Sequence, residues 1–250
     1  MGTAPNSVVF SASRCPAWTT APTWIRWSRS PTCCPTDGER VKPTPSQLEE
    51  LARRDPVLGA AMARVAPYPG FPAGPLARGS HFQAIARSIT FQQLAGAAAR
   101  TIYGRVCELT QGPRFPTIDE CLALPDTAFR GAGLSAAKTR AIKDLAGRCA
   151  DGSVRLRSVA RMTDAQVVEM LSGVWGIGEW TAQMFLIFRL GRLDVMPAGD
   201  LGVREGVRLL DGLDERPAPR AVLARAEPWR PLRSVATWVM YRLCDEARGG

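Results

Sequence analysis

The stretch LSGVWGIGEWTAQMFLIF, Leu171 to Phe188, decides the fold. Gly173, Gly176 and Gly178 surround Trp175 and lead directly into an apolar run opened by Glu179 and Trp180. A connection this short between two helices can only be a tight hairpin, with Val174 and Ile177 plugged inward between the glycines. The first amides of the second helix then lack intrahelical partners. Together with the helix dipole they form a site for an anion such as phosphate. A side chain in place of glycine would hold that anion away from the amides, and hairpin carbonyls at 173–178 could hold a bridging monovalent cation beside it. The plain alternative is a helix connection with glycine caps, which a bare Gly-x-Gly would not distinguish. The longer pattern, apolar-x-x-Val-Trp-Gly-Ile-Gly-x-x-Thr-Ala, is far more specific.

Downstream, the helix ends in RLGR and gives way to LDVMPAGDLGVREGV. Asp200 follows a Pro/Gly turn and is expected at the N-cap of the next helix, where the helix N-terminus favours its ionised form. Helix capping is the commoner fate of such an aspartate. Its place just after the hairpin gives it a second reading, a carboxylate facing the molecule that the hairpin grips. Asp194, six residues earlier, is expected to be structural.

Upstream, the chain reads as helices. SQLEELARRD opens with Ser46 and Glu49 in a capping-box pattern, Pro56 begins a second short helix, and PYPGFPAGP is a loop. Ser80 caps a helix that breaks between Gln92 and Gly96, Ser135 caps AAKTRAIKDLAGRC, and Thr163 with Gln166 forms a further box. No alternating strand pattern occurs, so the class is all-α. Residues 1–42 stand apart, with Pro, Ser, Thr and Arg and no acidic residue before Asp37. They read as a disordered or non-native extension ahead of a domain over 43–250, an organelle transit peptide being the third option.

Composition narrows the function. The 250 residues carry a formal net charge of +9, which favours an anionic partner, with nucleic acid first among them. Seven cysteines, an odd number without a CxxC pair, exclude a disulfide framework and leave an iron–sulfur cluster without ligands. A single histidine, His81, rules out mechanisms built on a histidine pair. Apolar runs fall short of the roughly 18 residues of a membrane span, and a cytoplasmic protein, nucleoid-associated if bacterial, is expected.

The segment GVWGIGEWTAQMFLIF…DVMPAGDLGVREG resembles the helix-hairpin-helix, Gly/Pro-rich loop and aspartate signature of the DNA glycosylase superfamily, nearest to its 3-methyladenine DNA glycosylase II family. SITFQQLAGAAA, GLSAAKTRAIKDLA and WRPLRSVATWVMYRL extend the likeness over about 80–245. It implies two helical lobes around a DNA-binding cleft, in a compact form because residues 43–80 are too few for the mixed-sheet domain of larger relatives. It also implies a monomer that binds double-stranded DNA containing alkylated bases and excises those bases without a cofactor.

Residue by residue, the resemblance makes Asp200 the catalytic carboxylate. Bifunctional relatives carry a lysine nucleophile where this chain has Trp180. Without that amine no Schiff base forms, so a monofunctional, water-using glycosylase is expected, with Trp180 as an aromatic wall of the base pocket. Tyr241 aligns with a second pocket aromatic. Trp238, one turn earlier, is a weaker candidate for which core packing is as good a reading, and packing is also expected of Trp175. Leu94 corresponds to a wedge inserted into the base stack, with Gln93 beside it. Gly173, Gly176, Gly178, Thr181 and Lys138 complete the expected DNA contacts, Lys138 having a solvated lysine as its plain alternative. Two other functions stay open: the same scaffold acting on deaminated or oxidised bases, and a non-catalytic DNA-binding module.

Overall fold

The computed structural model describes residues 41–72, 78–94, 96–112 and 114–249. Residues 1–40, most of the expected N-terminal extension, lie outside them. Among the described residues there are twelve α-helices and no strand beyond one antiparallel bridge, Val41 with Phe71. The helices form two groups. The first and last segments of the chain make one lobe: α1 (Pro45–Arg54), α2 (Pro56–Arg64), α10 (Leu201–Asp211), α11 (Pro219–Arg225) and α12 (Arg233–Ala247). The middle of the chain makes the other: α3 (His81–Phe91), α4 (Gly96–Cys107), α5 (Ile118–Ala123), α6 (Asp126–Gly131), α7 (Ala136–Ala150), α8 (Asp164–Ser172) and α9 (Glu179–Phe188).

Local chemistry sets most helix starts. Ser80, Ser135 and Thr163 cap α3, α7 and α8, and Ser80 and Thr163 are answered by Gln83 and Gln166 in reciprocal boxes. α1 begins earlier than expected. Its box is Thr44 with Gln47, not Ser46 with Glu49, because Pro45 fits N1 and fixes the register there. α3 stops at Phe91 and α4 restarts at Gly96, leaving a turn at 92–94.

The lobes share one apolar core. Phe188 at the end of α9 meets Phe71 edge-on at 4.7 Å and lies 6.5 Å from the Tyr241 ring on α12. In the terminal lobe α10 packs directly on α12 at Gly206, where a Cβ would come within 2.5 Å of the Met240 Cα. Asp55, at the α1–α2 junction, is 6% exposed and accepts the Leu58 amide, the Trp229 indole N–H at 2.7 Å and the Arg225 guanidinium. This buried pair ties the start of the lobe to its C-terminal half.

Candidate active site

The site grows from the hairpin between α8 and α9. Val174 and Ile177 are buried, as their apolar character between glycines predicts. Gly176 has φ +78°, a conformation that strains any L side chain, and its added Cβ would sit 3.1 Å from that of Ala141. Gly178 is different. It is the N-cap of α9, its φ of −98° is ordinary, and apart from its chain neighbours no atom of the described residues lies within 4 Å of where its Cβ would be. It also offers no capping side chain, unlike the N-caps of α1, α3, α7, α8 and α10. Trp175, expected to pack, is instead 39% exposed, with the Arg140 guanidinium 4.4 Å from its ring centroid. Its amide donates to Asp144, which fixes the hairpin tip to α7.

In the first turn of α9, Trp180 is half-buried and donates its indole N–H to Asp200 Oδ2 at 2.6 Å. Asp200 is the N-cap of α10, and its Oδ1 accepts the Val203 amide at 2.8 Å. The loop before it is braced on α12. Asp194 pairs with Arg233 and Arg230, and the Ser234 hydroxyl donates to Arg192 O and accepts the Val195 amide. Asp194 is therefore structural. Asp200 meets no arginine in these contacts, and it is 8% exposed at the junction of the two lobes.

Burial works against the helix N-terminus here. It pushes the Asp200 carboxyl above the usual aspartate value, although the Val203 amide, the Trp180 indole, the Gly202 amide and the Tyr241 hydroxyl all pull it back. The helix N-terminus does not by itself keep this acid low. Gly202 makes the arrangement possible, since its Cβ would lie 3.0 Å from both Asp200 Oδ1 and Tyr241 Cε1. Sequence reasoning missed Gly202. Its signal was a glycine in the first turn of a helix, which costs up to about 1 kcal/mol without a packing reason.

Other expected contacts are redistributed. Tyr241 is 1% exposed, so its ring is core, and its hydroxyl donates to Met184 Sδ at 3.7 Å beside Asp200; burial, then the Asp200 charge, raises its pKa well above the ordinary phenol value. Trp238 is a packing residue, donating to Ala66 O at 3.0 Å with its ring against Phe71. Thr181 is 4% exposed and accepts a hydrogen bond from Gln92, which takes its side chain away from the surface. Lys138 is turned inward, donating to Thr90 O and Gln92 O rather than standing free for phosphate. Gln93 is exposed and half-buried Leu94 follows it on the 92–94 turn. Gly173 ends α8 with right-handed dihedrals.

A hairpin whose second helix has a bare N-terminus, and whose first turn grips a buried aspartate across the lobe boundary, defines a helix-hairpin-helix protein with the makings of a hydrolytic site. The chain belongs to the HhH-GPD superfamily of base excision DNA repair proteins, whose pattern matches residues 86–231. It is similar to DNA-3-methyladenine glycosylase 1 of Schizosaccharomyces pombe, 34% identical over 162 residues that cover 64% of this chain and 71% of that protein. The solved complex of the S. pombe 3-methyladenine DNA glycosylase Mag1 with abasic DNA superposes with a TM-score of 0.71 at 30% identity, covering 78% of this chain and 95% of that one. A DNA-3-methyladenine glycosidase from Bacillus halodurans gives a TM-score of 0.72 at 29% identity, over 82% of this chain and 92% of that one.

Proposed function

We propose that this protein is a monofunctional DNA glycosylase that excises alkylated purines, of the 3-methyladenine and 7-methylguanine type, from double-stranded DNA. The observation that carries the reading is the 2.6 Å hydrogen bond from the Trp180 indole to Asp200. Where an amine nucleophile would be needed for strand cleavage, this chain has an aromatic ring that holds the acid in place.

Alkylation at N3 or N7 gives the purine a positive charge and weakens its bond to the sugar. As the C1′–N bond breaks, its electron pair neutralises the base and the sugar becomes oxocarbenium-like. Asp200 stabilises that cation and takes the proton released when water adds to C1′. The Trp180 indole on Oδ2 and the Val203 amide on Oδ1 fix both of its oxygens for this work. The Trp180 face attracts the cationic base by about 0.5–2 kcal/mol. A leaving group already charged needs no second carboxylate as general acid, unlike most glycoside hydrolysis.

The hairpin holds the DNA strand through the α9 amides, and the open space at Gly178 is where a phosphate approaches. A monovalent cation held by hairpin carbonyls at 173–178 would add positive charge beside that phosphate. It takes no part in the bond-breaking step. The 92–94 turn supplies the wedge, and the protein works as a monomer wherever genomic DNA lies, on the nucleoid in a bacterium. Among the described residues no helix is long and apolar enough to cross a membrane, and no group of three His, Cys, Asp or Glu side chains could hold a metal ion.

Asp200→Asn tests the proposal. Asparagine caps helices as well as aspartate, so α10 should persist and methylated DNA should still bind. Release of the base should fall by about 10²–10³-fold, the usual loss for a group that stabilises developing charge. Release at the wild-type rate would remove Asp200 from the mechanism, and strand nicking by the wild type would refute monofunctional action.

A further inference from the structure

Lys138 and Gln92 make contacts that the reaction above does not use. Lys138 sits in the first turn of α7, where its own amide is accepted by Ser135. Its ammonium reaches across to α3 and donates to Thr90 O at 2.8 Å and Gln92 O at 2.7 Å. A cation is thus fixed at the C-terminal end of α3, where the last carbonyls lack helical partners and the dipole is negative. Burial lowers the pKa of this lysine, and the two carbonyls are what it gains in return.

The next link runs from the same turn to the hairpin. Gln92 donates its side-chain amide to Thr181 Oγ1 at 3.1 Å and to Gly176 O at 3.4 Å. Thr181 lies in the first turn of α9 beside Trp180, and Gly176 is the left-handed residue of the hairpin. The following residue, Gln93, has φ +52°, a left-handed conformation that is uncommon for a residue with a side chain. A strained conformation persists when its surroundings over-determine it. Here the surroundings are a lysine on one side and the hairpin on the other.

We propose that Lys138 and Gln92 are positioning residues that lock the 92–94 turn to the hairpin, so that the wedge and the strand clamp act as one rigid unit during base extrusion. The proposal rests on the glycosylase reading above. Neither residue touches the reacting atoms; each acts through the placement of Gln93 and Leu94. A wedge held at the correct height above the clamped strand stabilises the gap left by the flipped base. A wedge on a loose turn must order itself at that moment, at an entropic cost.

The test compares single-turnover base release from two substrates. One carries a methylated purine fully paired in a duplex; the other carries it in a bulge, where extrusion is cheaper. For Lys138→Met and Gln92→Met, release from the paired duplex should fall about 10–100-fold, the scale on which a misplacement of roughly 1 Å is felt. The loss on the bulged lesion should be at least about tenfold smaller. Lys138→Arg, which keeps two or more donors, should recover most of the paired-duplex rate, whereas general unfolding would lower both substrates together and show in the melting curve. Equal losses on both substrates in folded variants, or no loss on either, would overturn the proposal. Wild-type protein that releases no methylated base from either substrate would instead refute the glycosylase reading.

Discussion

Trp180→Phe separates the two roles given to Trp180. Phenylalanine keeps an aromatic face for the cationic base but removes the N–H that donates to Asp200 Oδ2 at 2.6 Å. A hydrogen bond to a charged partner contributes about 1.5–3 kcal/mol, and each 1.36 kcal/mol of preference for one protonation state is worth one pH unit. Burial already pushes the Asp200 carboxyl upward. Losing one of its donors pushes it further in the same direction, because the charged form alone is destabilised. In the reaction proposed above Asp200 works ionised, so activity is expected to be lost as pH falls through its pKa. The acid limb of the base-release profile should therefore move to higher pH by about one to two units. At pH well above that limb the rate should recover to within roughly tenfold of wild type, the residue of a weaker cation–aromatic contact. The assay is single-turnover release of a methylated purine from about pH 5 to 9, with Trp180→Ala as the variant that loses both roles. An acid limb that stays in place while the rate drops uniformly would show that the indole N–H does not govern the carboxylate.

The hairpin glycines should separate in the same way. Gly178→Ala meets empty space at an ordinary φ, so it should leave the melting temperature nearly unchanged while weakening DNA binding about tenfold or more, as a methyl group keeps phosphate from the amides. Gly176→Ala has φ +78° and the Ala141 Cβ against it, and should lower stability by about 1–2 kcal/mol, read by urea denaturation. For Asp55, burial alone would raise the carboxyl, but Arg225, the Leu58 amide and Trp229 outweigh it and hold it down to about 2. That stabilisation, about 2 kcal/mol, is fully present above the ordinary aspartate value and is lost as pH falls towards 2; thermal melting should show it, and Asp55→Asn should flatten the dependence over that window.

Reading the sequence located what local chemistry determines. Ser80, Ser135 and Thr163 cap where a hydroxyl precedes a helical run, and Val174 and Ile177 turn inward because apolar residues between hairpin glycines have only the core to face. At α1 two overlapping boxes compete, and only the fit of Pro45 at N1 decides for Thr44. Side-chain direction was harder. Trp238 and Tyr241 lie one turn apart on α12, and both proved to be core, because a helix buried on most sides gives no apolar stripe that marks a pocket. Lys138 looked solvent-facing because nothing in GLSAAKTR encodes the end of α3, forty-six residues earlier, as its partner. Trp175 looked like packing because apolar character does not say that the hairpin tip points out, under Arg140.

The same limit explains the site's least legible feature, the burial of Asp200. From the chain alone, an aspartate at an N-cap reads as an acid kept ionised by a dipole. In the folded molecule the opposing lobe covers it, and desolvation becomes the larger effect. Each donor in its cage then has a defined part: Val203 comes from the capped helix, Trp180 from the hairpin helix, and Tyr241 from the last helix, which Gly202 lets approach. The acid is thus held by three segments that are far apart in sequence. A charge kept in a dry, preorganised cage acts on a developing sugar cation more strongly than one in water. In the proposed reaction a base that leaves as a neutral molecule asks only for stabilisation of the positive sugar, so one carboxylate in such a cage is enough.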